Sequence, residues 1–187
     1  MKTIKMILNI AFALVSLNAF SQESGVYMSA SDFASGKLTY AINCSTEKHK
    51  IKLNEFLNRS YITVVHNGES HNLTKKEIFG YKDCDGVAYR FINDGHFVIL
   101  NPSEEILIYK HTKGASKNQQ AVTHYYFSLG GSDTVARLTL ENLKKLFPEN
   151  HKFHDALDAA FKSDDELAAY DSFHKMYKVT HIYVSSK

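Results

Sequence analysis

The side chains with the best claim to chemistry lie in one short stretch, NHKFHDALD, from Asn150 to Asp158. His151 and His154 stand three residues apart, and so do Asp155 and Asp158. On a helix these four polar groups share one flank. Phe153, Ala156, Leu157, Ala160 and Phe161 form an apolar face on the other side. Zinc takes three or four nitrogen, oxygen or sulfur ligands, and one helix ordinarily supplies two of them. His151, His154 and Asp158 are therefore the metal ligands this stretch offers, with a further ligand required from elsewhere in the fold. No cofactor is expected from the sequence, with zinc at this cluster as the alternative. The HExxH arrangement of metalloproteases is absent, because the histidines are three apart with no Glu between them. The plainer alternative is the solvated flank of an ordinary helix, and both readings stay open at this stage.

A second group is spread along the C-terminal segment. Tyr170, His174, Tyr177 and His181 recur at helical spacing beside Leu167 and Val184. Such a stripe either lines a pocket, with rings to stack on a ligand, or packs a helix against a sheet. Arg90, between Tyr89 and Phe91, points to the strand face opposite its neighbours. It is a candidate anion ligand or a partner for Glu69 or Asp83. Tyr170, His174, Tyr177 and Arg90 thus form the candidate ligand-binding set. The Asp83-x-Asp85-Gly86 segment lacks the third spaced acidic position of a calcium loop and reads as a turn. No phosphate-binding loop, dinucleotide fingerprint or G-x-S-x-G elbow is present, and no catalytic residue is assigned.

The chain must carry these residues somewhere, and its first residues say where. Lys2 and Lys5 precede an apolar run from Met6 to Leu17, and Ala19 and Ser21 place small residues at a cleavage-type spacing. This predicts a secretory signal peptide over residues 1–21. The run is shorter than the roughly 20 residues a spanning helix needs, so no transmembrane anchor is expected after cleavage. The leader would remove Lys2 and Lys5. The 22 basic and 20 acidic residues then become 20 of each. A balanced surface argues against nucleic acid as a partner. Ten histidines would make the protein basic in acid. Two cysteines, Cys44 and Cys84, enter an oxidising compartment on export. A disulfide is the leading reading, ahead of two buried thiols. A nucleophilic role fits poorly, since Asp83 and Asp85 flank Cys84 and disfavour its thiolate.

The positioning elements change character along the chain. Residues 22–138 read mainly as strands, with hairpin signals at Asn67-Gly68, Asp85-Gly86 and Asp94-Gly95 and a further turn at Gly130-Gly131. A helical turn is expected after Ser31 with Gly36 at its exit, and another helix at KLNEFLN, residues 52–58. Residues 139–187 read mainly as helices. Thr139 caps the first, Pro148 ends it, and Asn150 caps the second. Ser163 to Glu166 forms a capping box that opens a third. The segment from Val179 to Lys187 suits either a helix end or a strand. Together these predict one α+β domain over residues 22–187. It is a curved antiparallel meander of about seven to nine strands, barrel-like or open, followed by two or three C-terminal helices.

The segments NAFSQ, GVYMSASDF, FGYKDCDGVAYRF and the long run from Asn150 to Val179 resemble small exported proteins of Bacteroidota of uncharacterised activity. The resemblance implies an envelope, periplasmic or secreted location and no catalytic residue. The expectation is a non-enzymatic binding or envelope-associated module with a protein or glycan partner. A peptide pairing with an exposed sheet edge is one form of it. The alternative is a small metal-dependent enzyme using the cluster at 151–158.

Overall fold

The computed structural model describes residues 23–47, 50–54, 59–114 and 120–187. The leader lies outside them, as does most of the helix expected at 52–58. The fold is α+β, a large antiparallel sheet with helices gathered mainly at the C-terminal end.

The large sheet has eight strands. They are β1 (Glu23–Tyr27), β2 (Thr39–Asn43), β6 (Gly80–Lys82), β7 (Ala88–Ile92), β8 (Gly95–Ile99), β9 (Ile106–Lys113), β10 (Val122–Leu129) and β11 (Ala136–Arg137). Their order across the sheet is β11-β10-β9-β8-β7-β6-β1-β2. Strands β6 to β11 therefore form a plain meander, and β1 adds beside β6. The sheet is open, with β11 and β2 at its edges. A second sheet of three strands, β3 (Lys50–Lys52), β4 (Tyr61–His66) and β5 (Glu69–Thr74), lies between β2 and β6 in sequence.

The large sheet curls strongly. Arg90 on β7 hydrogen-bonds Ser128 on β10, three strands away. In a flat sheet those strands would stand about 14 Å apart, beyond the reach of the two side chains. One face of the curl carries Tyr27, Ala88, Phe97, Ile99, Leu107 and Tyr109, capped by Phe33 of α1 (Ala30–Ser35). The other face divides. Val26, Tyr81 and Phe91 pack with Ile62 and Val64 of the small sheet. Ile106, Ile108 and Phe127 pack with the C-terminal helices. The alternation Ile106/Ile108 against Leu107/Tyr109 shows why β9 is buried on both faces.

Local chemistry explains most element ends. Ser29, rather than Ser31, caps α1 by accepting the Asp32 N–H at 3.0 Å, and Gly36 exits it at φ +69°. Asn67 and Gly68 both take positive φ in the β4–β5 hairpin. The β7–β8 turn sits one residue earlier than its sequence signal. Ile92 pairs with Gly95, so Asn93 and Asp94 occupy the left-handed positions at φ +49° and +65°. Gly80 is required for a different reason. Any Cβ there would meet the Tyr89 carbonyl oxygen at 1.9 Å, so only glycine lets β6 approach β7 opposite Arg90. Cys44 and Cys84 form a disulfide with Cα atoms 5.7 Å apart. It closes a loop of 40 residues, worth about 4 kcal/mol by chain entropy.

The C-terminal layer contains α2 (Leu140–Leu146), α3 (His151–Ala160) and α4 (Lys178–Ser185). Thr139 caps α2 and Asn150 caps α3, as their sequences predict. The third helix does not start at Ser163. Residues Asp164–Glu166 make a single 3₁₀ turn, and Ser163 forms no side-chain cap. The Glu166 carboxylate accepts the Lys162 N–H instead, so the expected capping box is not closed. A short hairpin follows, β12 (Tyr170–Asp171) and β13 (Met176–Tyr177), with Lys175 at φ +56°. That left-handed residue breaks any continuous helix from Leu167 to Ser185.

Candidate functional site

A cavity of about 320 Å³ opens at the end of the large sheet where β1 and β7 finish and β6 begins. Four chain segments wall it: residues 28–30 before and into α1, 75–79 before β6, 90–94 at the end of β7, and 133–135 before β11. Arg90 and Lys75 are each only 5 % exposed. Their situations differ sharply.

Arg90 is fully engaged. One guanidinium nitrogen donates to the Tyr109 hydroxyl at 2.8 Å and to the Ser128 hydroxyl at 3.3 Å, and the other donates to the Ser132 carbonyl at 2.8 Å. The Phe79 ring lies 4.8 Å from the guanidinium carbon. Its nearest carboxylate is that of Asp133 at 3.8 Å, exposed at the rim. Neither Glu69 nor Asp83 reaches it. Asp83 accepts the Asp85 and Val87 backbone N–H groups, and Glu69 lies beside His71.

Lys75 has no side-chain hydrogen bond or ion pair among the described residues. Its backbone N–H donates to the Ser60 carbonyl, which fixes the strand end that carries it. The Asp94 Oδ1 atom, in the same lining, is also buried without a hydrogen-bond partner. Burying a charge with no counter-charge is costly, so such groups ordinarily face a ligand or pair with each other. The remaining wall mixes apolar Ile78, Phe79 and Val135 with the exposed Lys76 and Glu77 at the mouth.

Comparison of the chain with family models, curated proteins and solved structures returned no match. The functional reading therefore rests on geometry and chemistry.

The cluster at 151–158 is engaged in holding helices together. The His154 Nε2 atom is bonded to the Phe147 carbonyl at 2.9 Å, which ties α3 to the end of α2. Both Asp158 oxygens accept from Lys144 of α2, at 2.5 and 2.7 Å. His151 is exposed, its ring centroid 5.9 Å from that of His154. Two of the three atoms expected to bind zinc thus have structural partners.

The C-terminal aromatic set is redistributed by the hairpin. Tyr170 and Tyr177 are cross-strand partners with rings 5.4 Å apart. His174 lies in the turn between them, and its ring stacks on His181 of α4 at 3.7 Å and 19°. The His174 Nδ1 atom is bonded to Asp171 Oδ2 at 2.7 Å. This contact, with the backbone N–H groups of His174 and Phe173, holds the Asp171 carboxyl down at about 2. Tyr170, His174 and Tyr177 do not share a site with Arg90, which lies on the far side of the sheet from the C-terminal layer. Sequence reasoning found Arg90 but missed Lys75. Nothing in the pair Lys75-Lys76 distinguishes the buried lysine from the exposed one.

Proposed function

We propose that the protein is an exported, non-enzymatic binding module whose ligand occupies the cavity at the sheet end. The ligand class is a small zwitterion of amino-acid or short-peptide size that presents a carboxylate to Lys75. A cavity of about 320 Å³ suits a molecule of that size. The observation that carries the reading is Lys75, a residue only 5 % exposed whose ammonium makes no hydrogen bond or ion pair with the described residues of the cavity wall and is left with the opening to face. The mixed charges of Lys76, Glu77 and Asp133 around the mouth favour a ligand bearing both signs over a simple anion. Arg90 forms a rigid floor, since its own donors are committed to Tyr109, Ser128 and Ser132.

Export is supported by the disulfide, which persists in oxidising compartments. Among the described residues, no helix is long and apolar enough to cross a membrane. A periplasmic or secreted location is part of the same proposal, resting on the basic and apolar pattern of residues 1–21. The metal-dependent enzyme at 151–158 draws less support, because His154 and Asp158 are held by Phe147 and Lys144.

The test is calorimetric titration of the purified protein with the common amino acids and a dipeptide panel, repeated on Lys75→Met. Saturable binding that is lost in Lys75→Met is expected. Binding retained in Lys75→Met, or no binding across the panel, removes the proposal.

A further inference from the structure

Asp171, His174 and His181 each offer one ligand atom, and these three atoms lie within 4.8 Å of one another. We infer that they form a divalent transition-metal site, with zinc as its reference occupant, joining the β12–β13 turn to α4.

The donor set argues for the metal class. Two imidazoles and one carboxylate suit zinc or copper, whereas calcium and magnesium need mostly oxygen ligands. Around tetrahedral zinc, ligand atoms stand about 3.3 Å apart. Closing the set therefore needs side-chain movements of about 1.5 Å at most, which the partly exposed rings can make.

The second argument is preorganisation. Asp171 Oδ1 is held by the N–H groups of Phe173 and His174, at 2.9 and 3.2 Å. That leaves Oδ2 directed at the His174 ring. Metal-binding carboxylates and histidines are typically oriented by such outer hydrogen bonds. His181 has no hydrogen bond to protein among the described residues, yet its ring lies parallel to that of His174 at 3.7 Å. Two imidazoles stacked this closely, one of them bonded to a carboxylate, are placed to share a cation. Three protein ligands would leave one coordination position open, and the ring of Phe173, 86 % exposed, lies 4.9 Å from that of His174. The site lies on a different layer from the Lys75 cavity and does not depend on that reading.

The experiment is titration of the untagged full chain with Zn²⁺ alone, followed by calorimetry and by thermal unfolding, with Ca²⁺ and Mg²⁺ in parallel. One Zn²⁺ per chain is expected, with a rise in Tm and no response to Ca²⁺ or Mg²⁺. His181→Ala should abolish the response. Asp171→Asn should weaken affinity by about 10–100-fold. The double variant His151→Ala/His154→Ala should bind as the parent does. His181→Gln and His174→Gln serve as second variants, and metal-free Tm and circular dichroism confirm that each variant folds. Absence of Zn²⁺ binding, or binding that survives loss of His181 or follows His151 and His154 instead, overturns the inference.

Discussion

The two candidate sites are built in opposite ways. The Lys75 cavity is assembled from four segments that span residues 28–135, and Lys75 and Arg90 in its wall are each only 5 % exposed. The Asp171–His174–His181 group comes from eleven consecutive residues, and its members are half-buried or exposed. In the first, low dielectric makes an unpaired polar group such as Asp94 Oδ1 expensive, and the proposed ligand would offset that cost. In the second, His174 and Asp171 bond each other and His181 only stacks on His174, at or near the surface where a charge costs little. A buried site should trade stability for binding, and an exposed site should not.

The largest effect is expected at Arg90. Arg90→Leu strips the Tyr109 and Ser128 hydroxyls and the Ser132 carbonyl of a buried donor. It should cost roughly 3 kcal/mol in urea unfolding and weaken ligand binding together. An effect below about 1 kcal/mol would mean that the network is not a rigid floor.

Lys75→Met should act in the other direction. It replaces an unpaired cation on an almost fully buried stem with an apolar side chain of similar length and should stabilise the ligand-free protein by roughly 1–2 kcal/mol. That corresponds to a Tm rise of about 3–6 °C for a chain of this size. A loss of stability would show that Lys75 has a structural partner, and the contrast between the two sites would fail.

His181→Ala and His174→Ala should change metal-free stability by less than about 0.5 kcal/mol, since both rings are at the surface. Urea unfolding with a chelator present checks this. A larger loss would make the ring stack a packing element comparable to the core.

The smallest effect concerns Glu105, which binds the C-terminal helix through Lys187 and the Tyr183 hydroxyl. The Lys187 ammonium, and then the Tyr183 hydroxyl, hold the Glu105 carboxyl below its ordinary value. A depressed carboxyl stabilises the fold above its unfolded pKa, near 4.3. That contribution is lost as pH falls through the folded value. Glu105→Gln should therefore lie slightly below the parent in Tm at pH 7 and meet it near pH 3. A gap that widens in acid would reverse the assignment. Solvent screening keeps the difference small, because both partners are about half exposed.

The Asn67-Gly68 hairpin, the caps at Thr139 and Asn150, and the α+β division were legible because each rests on neighbours in sequence. Turn residues with positive φ and side chains bonding the next turn's N–H need no distant partner. The capping box at Ser163 failed for a related reason. Its four residues fit the pattern, but the left-handed Lys175 and the pairing of Tyr170 with Tyr177 override it. The metal reading shows the same boundary. The residue types at His151, His154 and Asp158 allowed either zinc ligands or the solvated flank of a helix. Only packing of α3 on α2 assigned His154 to Phe147 and Asp158 to Lys144.

By itself the sequence determined the Asn67-Gly68 turn, the starts of α2 and α3 and the order of strands before helices, all set by local backbone preference and side-chain capping. It made a Cys44–Cys84 disulfide the leading reading, and the 5.7 Å approach of their Cα atoms in the fold decided it. Tertiary structure alone decided that the sheet curls until Arg90 meets Ser128, that Lys75 and not Lys76 is buried, and that His174 stacks on His181. Each of these depends on which distant segments pack together, and long-range packing is set by the whole core, not by any short run of residues.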